Sequence, residues 1–332
     1  MSAQRRPPVK KVATARLRHS PGARGTLVRS RPEGIRWLRA DGTPNWSQYV
    51  SGRREELRLL ATNPAVSIPY TSTVLEAAEV IASKGIRGMP LVDSREKLKG
   101  VVLATDIVNY LGGGEYYNIV LKRHRSNMYS ALRGEPVFSI SNPTPAYAMI
   151  GDTLDKVLEI MVGEGIGLIP VLYDDGTVYG VITEHDIVRH LALKKIGKQV
   201  KDYMTTTIVT VEAEHPLRKA AEAMSRHGFR RLPVTSGGLI KGMITAKDYV
   251  RYFGSHDAFK NVTTGDIKEV LETPVYEVMT PEVYTIDENA DIGEAASAMI
   301  AYKTSSLLAV NSNGEVTGII TERDVLLSIV LA

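Results

Sequence analysis

The chain contains no cysteine in its 332 residues. That absence excludes disulfides and thiolate metal sites. No apolar run approaches the roughly 18 residues that span a bilayer, so no membrane partner is expected. The basic N-terminus lacks an apolar core segment and does not read as a secretory signal, which leaves cytoplasmic residence as the expectation. Seven histidines are scattered along the chain, with no His/Asp/Glu set at metal-binding spacing. Gly-x-Ser-x-Gly, Walker and Gly-x-Gly-x-x-Gly motifs are also missing, so neither an enzyme nor a required cofactor is expected.

What remains is an ordinary globular composition, 43% apolar and 23% charged, with an uneven charge distribution. Residues 1–60 hold 14 Lys/Arg against 4 Asp/Glu, whereas the rest of the chain is mildly acidic. Residues 1–34 are rich in Arg, Pro, Gly and Ser without periodicity, which predicts a disordered or extended arm. Residues 35–60 carry both tryptophans, Trp37 and Trp46, and are expected to dock on the remainder through a helical Arg-Glu-Glu-Leu stretch. A basic arm with aromatics also suits nucleic-acid phosphates and bases. A nucleic-acid-binding regulator, or a protein partner held by residues 1–60, is therefore the alternative reading.

From residue 61 onward the sequence repeats. Gly, two apolar residues, three variable positions and Asp recur at Gly100–Asp106, Gly180–Asp186, Gly242–Asp248 and Gly318–Asp324. Upstream of each lies an apolar stripe at positions 0, 3, 4 and 7, beginning at Val74, Leu154, Leu217 and Ile292. That spacing is one buried face of an α-helix. Nine residues beyond each stripe stands Pro90, Pro170, Pro233 or Leu308, and the stripe-to-Asp distance is 32, 32, 31 and 32 residues. A register held this closely marks one structural unit used four times. Turn signals such as Asp174-Asp175-Gly176 separate two further strands. First strands are predicted at Ala65–Ile68, Ala146–Ile150, Ile208–Val211 and Val283–Ile286, and central strands at Gly88–Val92, Leu168–Leu172, Arg231–Val234 and Ser306–Val310. The plan is β-α-β-β-α, and a unit of about 55 residues buries too little surface to stand alone and should pair. Helical connectors are expected at Gly112–Pro136 and Gly254–Thr273, with Gly112-Gly113-Gly114 breaking the chain before the first.

This plan, the Leu-Pro-Val strand, the Gly-h-h-Thr-x-x-Asp ending and lead-ins such as Val275-Tyr276-Glu277-Val278-Met279-Thr280 resemble the cystathionine-β-synthase (CBS) domain. The resemblance implies an α/β (α+β) chain of four CBS repeats: 61–115, then 116–195 and 256–332 each with a connector, and 196–255 between them. Units one with two and three with four would form two Bateman modules, arranged as a flat disc and joined in a homodimer. It further implies a regulatory adenine-nucleotide sensor for AMP, ADP or ATP, with or without Mg.

Two readings of the motif Asp compete. Thr-x-x-Asp at a strand-to-helix junction is a capping box. The same carboxylate can accept both hydroxyls of a ribose, while the Thr hydroxyl and free N–H groups suit a phosphate. The loss of Thr at Leu103, with Asp106 retained, argues that capping is not the whole story. The resemblance assigns ribose to Asp106, Asp186, Asp248 and Asp324, and the hydroxyl role to Thr183, Thr245 and Thr321. Phosphate positions fall on Arg87, Arg230, Arg231 and Ser305, and on His185, Lys247 and Arg323 just before the motif Asp. Unit two offers only Gly167 and Leu168 at the phosphate positions. One or two occupied sites are therefore expected, chiefly in the three–four module.

Overall fold

A computed structural model of the chain describes Lys10, Lys11, residues 44–46, Tyr49 and residues 56–331. The expectations for residues 1–34 and for Trp37 lie outside these, except that Lys10–Lys11 pair antiparallel with Tyr284 and Thr285 at a sheet edge.

The first unit consists of a short strand Ile68–Pro69, the striped helix Val74–Lys84, the strands Gly88–Val92 and Leu98–Leu103, and the motif helix Ala104–Val108. The other three keep that order. Unit two has Ala148–Met149, Leu154–Gly163, Leu168–Leu172, Val178–Thr183 and Glu184–Leu191. Unit three has Val211–Glu212, Leu217–His227, Arg231–Ser236, Leu239–Thr245 and Ala246–Gly254. Unit four has Tyr284–Asp287, Ile292–Ala301, Ser306–Val310, Val316–Thr321 and Glu322–Val330. In each, the first strand runs parallel to the second, as a helical crossover requires, and the second runs antiparallel to the third.

The sixteen stripe residues are all buried, at no more than 2% exposure. Each larger one contributes about 1.5–3 kcal/mol of transfer free energy. In unit one the stripe begins behind a capping box, Thr73 with Glu76, and ends at Gly85, whose φ of 63° is the left-handed C-cap that glycine supplies most cheaply.

The first strands of units one to three are cut to two residues each, shorter than the sequence predicts, and that of unit four is shifted one residue later. The residues ahead of them are used elsewhere, because each lead-in crosses to the partner unit and bridges its motif strand. Thr62 bridges Val181, Asn142 bridges Val101, Thr205 bridges Ile319 and Thr280 bridges Met243. This crossing explains the motif glycine. A Cβ on Gly100 would lie 2.9 Å from Asn142 O, on Gly180 2.7 Å from Thr62 O, and on Gly242 2.6 Å from Thr280 O. On Gly318 it would lie 2.5 Å from Met204 Sδ. Side-by-side sheets thus join units one with two and three with four.

Helices join the modules to each other. One core combines units one and three with both connectors, and a second combines units two and four with Trp46 and Leu57. A small third core (Ile240, Met243, Val283, Leu308, Val316) seals the sheets of units three and four, and Leu308 packs there in place of the proline. The connectors are helical in part, at Tyr117–Arg123 and Met128–Gly134, and at Asp257–Asn261 and Ile267–Leu271. The glycine triplet breaks the helix as expected: Gly112, at φ 154° and ψ 9°, kinks the turn Asn109–Gly113, and Gly114 is extended. Gly113 is small because Ala221 O of unit three's striped helix would lie 2.4 Å from a Cβ there. Reciprocally, a Cβ on Gly254 at the end of unit three's motif helix would lie 2.3 Å from Ala78 O of unit one.

Candidate functional site

The register of each hairpin sets the site. Gly88, Leu168, Arg231 and Ser306 stand opposite Leu103, Thr183, Thr245 and Thr321. The residue before each of them turns its carbonyl to the first N–H of the motif helix: Ala104 N to Arg87 O (2.8 Å), Glu184 N to Gly167 O (3.2 Å), Ala246 N to Arg230 O (2.9 Å) and Glu322 N to Ser305 O (3.2 Å). A basic or hydroxyl side chain at that position is thereby delivered beside a helix N-terminus, which favours anions.

All four motif carboxylates cap. Thr183 N, Thr245 N and Thr321 N donate to Oδ2 of Asp186, Asp248 and Asp324 at 2.8, 3.0 and 2.8 Å, and the Thr hydroxyls donate to the same oxygens at 2.6–2.7 Å. Unit one keeps half of this box, since Leu103 N still donates to Asp106 Oδ2 at 2.7 Å. The loss of Thr at position 103 therefore does not free Asp106 from capping, because the backbone donor needs no side chain. The second oxygens of Asp186 and Asp248 accept from Arg189 and Arg251, each at 2.8 Å, and Thr280 from unit four's lead-in also reaches Asp248 Oδ1 at 3.3 Å. Arg189 and Arg251 were not singled out by the sequence, although their i,i+3 spacing from the motif Asp is visible in it.

Asp106, unlike Asp186 and Asp248, has no ion pair among the described residues. Burial pushes its carboxyl up to about 6, against the lowering by the Leu103 N–H. An acid whose folded pKa is raised stabilises the fold below its unfolded value and loses that contribution as pH rises through about 6. Asp106→Asn, which keeps an acceptor for Leu103 N–H, is therefore expected to gain about 1–2 kcal/mol at pH 8. The gain should vanish by pH 4; urea unfolding at the two pH values checks this, and a pH-independent difference would refute it.

The motif ends of all four units converge between the modules. Glu184, 1% exposed, lies 2.6 Å from Arg230 Nη1, 3.1 Å from Arg323 Nη1 and 4.0 Å from Arg87 Nη1. Burial would raise its carboxyl, but the three guanidiniums prevail and hold it at about 2. Glu322, equally buried, pairs with Arg87 and with His185 Nδ1 at 2.8 Å. Arg231 donates to Ser305 O and has no carboxylate within salt-bridge distance among the described residues. Desolvation, with Arg87 next, pulls it down to about 10. Lys247 crosses to unit one, donating to Gly85 O at 2.9 Å, and Arg323 crosses to unit two, donating to Ile166 O at 3.1 Å.

Two cavities open onto this centre. The larger, about 410 Å³, lies over the cleft of units one and two, walled by Thr62, Val66, Ile86, Leu168 and Val181. It brings together Arg87, Thr183, His185, Asp186, Arg230, Arg231, Thr245, Lys247 and Ser305. The smaller, about 250 Å³, lies over the cleft of units three and four and takes in Arg230, Arg231, Thr321 and Arg323, with Glu184. Asp106, Asp248 and Asp324 line neither cavity. The charge that Gly167 and Leu168 cannot supply in unit two is supplied by unit three, whose Arg230 and Arg231 serve both cavities. Glu184 and Glu322 were missed by the sequence reading; the only signal was a Glu after the motif Thr in units two and four, which also reads as a helix-dipole residue. Among the described residues no cluster suits a metal ion and no helix is long and apolar enough to cross a membrane.

Known proteins share this architecture. The model of the CBS domain matches residues 56–113, 137–193, 200–255 and 275–331. Protein MJ1225 of Methanocaldococcus jannaschii is 30% identical over 273 residues, 81% of this chain and 97% of the relative. A 33.4 kDa protein in the ribosomal RNA operon of Thermofilum pendens is 32% identical over 274 residues, 82% and 91% of the two chains. The crystal structure of MJ1225, proposed as an archaeal homolog of g-AMPK, superposes with a TM-score of 0.75 over 81% of this chain and 98% of that one. A Pyrococcus horikoshii protein, 21% identical with a TM-score of 0.51 over 82% of this chain and 98% of its own, has the same fold. Four matched segments, each carrying the β-α-β-β-α plan and joined as two sheet-paired modules, make this chain a member of the CBS domain family.

Proposed function

We propose that the chain is a regulatory adenine-nucleotide sensor. One observation carries the reading: a single cavity of about 410 Å³ is lined by apolar side chains, a motif carboxylate and a group of cations. Val66, Ile86, Leu168 and Val181 suit a base. The Asp186 carboxylate suits the two hydroxyls of a ribose, exchanging its Arg189 contact for them. Arg87, Arg230, Arg231 and Lys247 suit phosphate, the arginines through paired N–H groups. The likeness to MJ1225, proposed as a homolog of g-AMPK, points the same way. The smaller cavity, with Thr321 and Arg323, is the second site.

Regulation follows from where the cations come from. Arg87 and Lys247 belong to units one and three, on opposite sides of the module boundary, so a phosphate between them ties the modules together. Such a ligand shifts the arrangement of the modules only by its differential affinity for the arrangements. AMP, ADP and ATP are the expected ligands, and their order of preference is read by titration. Calorimetry on the full chain should find at least one of them bound, and at 100 times Kd it should add about 2.7 kcal/mol of stability. Asp186→Asn should weaken binding at the larger cavity about tenfold, through loss of one charged acceptor. Absence of binding by every adenine nucleotide would refute the reading.

A further inference from the structure

Two buried carboxylates stand where a phosphate would. Glu184 of unit two lines the cleft of units three and four, and Glu322 of unit four lines the cleft of units one and two. Each engages the arginine ahead of the central strand in the diagonally opposite unit: Glu184 with Arg230 at 2.6 Å, and Glu322 with Arg87. A carboxylate and a phosphate offer a guanidinium the same bidentate edge. Both carboxylates are 1% exposed and held at a helix N-terminus.

Capping does not need them. The equivalent position after the motif strand is Ala104 in unit one and Ala246 in unit three, where the helix starts with the same backbone register. In units two and four the acid at this position reaches an arginine of the opposite module. The balance of charge is informative too. Arg87, Arg230, Arg231, Lys247 and Arg323 face two carboxylates, and Arg231 has none of its own among the described residues. One phosphate group can be taken by the surplus. A longer polyphosphate must compete with Glu184 or Glu322 for the arginines they hold.

We propose that Glu184 and Glu322 are internal competitors for phosphate, and that they determine how steeply ligand affinity rises with phosphate number. For nucleotides this rests on the function proposed above, but the competition itself concerns any polyanion. Removing either charge should leave the base and ribose contacts alone and favour the more highly charged ligands.

The test is titration of wild type, Glu184→Gln and Glu322→Gln with adenosine, AMP and ATP, alongside thermal shift with inorganic pyrophosphate. Adenosine should change by less than about twofold, whereas ATP should bind about tenfold more tightly to each variant and AMP should gain less, the effect of one like charge removed from a partly desolvated centre. Pyrophosphate should stabilise the variants more than wild type, and Glu184→Asp, which keeps the charge, should behave as wild type. Equal factors for all three ligands, or an unchanged or lower ATP-to-AMP ratio, would overturn the proposal. Glu322→Gln reports on the other cavity, so misfolding of one variant still leaves a decision. If no nucleotide binds wild type but pyrophosphate separates the variants as stated, the sensor reading fails and the competition stands. If pyrophosphate stabilises all alike, the competition fails.

Discussion

Gly293→Ala is expected to lower the unfolding free energy by about 3 kcal/mol, with a fall in Tm of roughly 6–12 °C. A Cβ at Gly293, in the first turn of unit four's striped helix, would sit 1.7 Å from the carbonyl oxygen of Lys194. That oxygen is backbone and cannot rotate away. Its loop is clamped to the same helix, since Leu193 N donates to Ser297 Oγ at 2.8 Å, and Ile196 N and Gly197 N donate to the Asp291 carboxylate at 3.0 and 2.7 Å. Helix propensity favours alanine by about 1 kcal/mol, and the clash outweighs it. Gly163→Ala, with nothing within 4 Å of its Cβ, is the control and should be neutral or slightly stabilising. Urea unfolding of the pair decides it: equal stabilities would mean that units two and four do not pack as described.

The second large effect is expected at Arg230. Arg230→Ala should destabilise by about 2–3 kcal/mol, because it removes a partner from a buried carboxylate. The lower end is favoured by the guanidinium's own 32% exposure, which lets water screen the pair. Glu184 would retain Arg323 at 3.1 Å and Arg87 at 4.0 Å. The loss should therefore stop short of unfolding. Since Arg230 lines both cavities, nucleotide affinity should fall by more than tenfold at each. A double-mutant cycle with Glu184→Ala is expected to return a coupling of about 2 kcal/mol in the ligand-free protein. Additive losses would show that Glu184 and Arg230 are neighbours without energetic linkage.

The repeat was legible because it is written in local periodicity. The stripes from Val74, Leu154, Leu217 and Ile292 obey a helical spacing, and the central strands Gly88–Val92, Leu168–Leu172 and Ser306–Val310 fall where the sequence predicts them. The first strands were drawn too long in units one to three because the chain ahead of them, at residues such as Thr62 and Asn142, serves the partner unit's sheet, a use that no local pattern reveals. The motif glycines were read as markers of repetition, and their physical cause, a partner unit's lead-in that a Cβ would meet at under 3 Å, is invisible in one unit considered alone. The site divides in the same way. Arg87 and Arg230, just before a central strand, and Arg231, the first residue of one, could be found by carrying over the positions that the family resemblance assigns. Glu184 and Glu322 could not, since their role depends on a diagonal contact between modules that no sequence interval encodes.

The crossing of lead-ins also has a temporal side. Unit one's motif strand meets Asn142 through Val101, whereas Thr62, in unit one's own entry, waits for Val181. A chain emerging from the ribosome thus completes unit one's sheet only after the second entry segment has appeared, and anchors its own first segment later still. Synthesis proceeds residue by residue, but assembly of this protein advances in whole modules, with an unpaired sheet edge exposed during the interval.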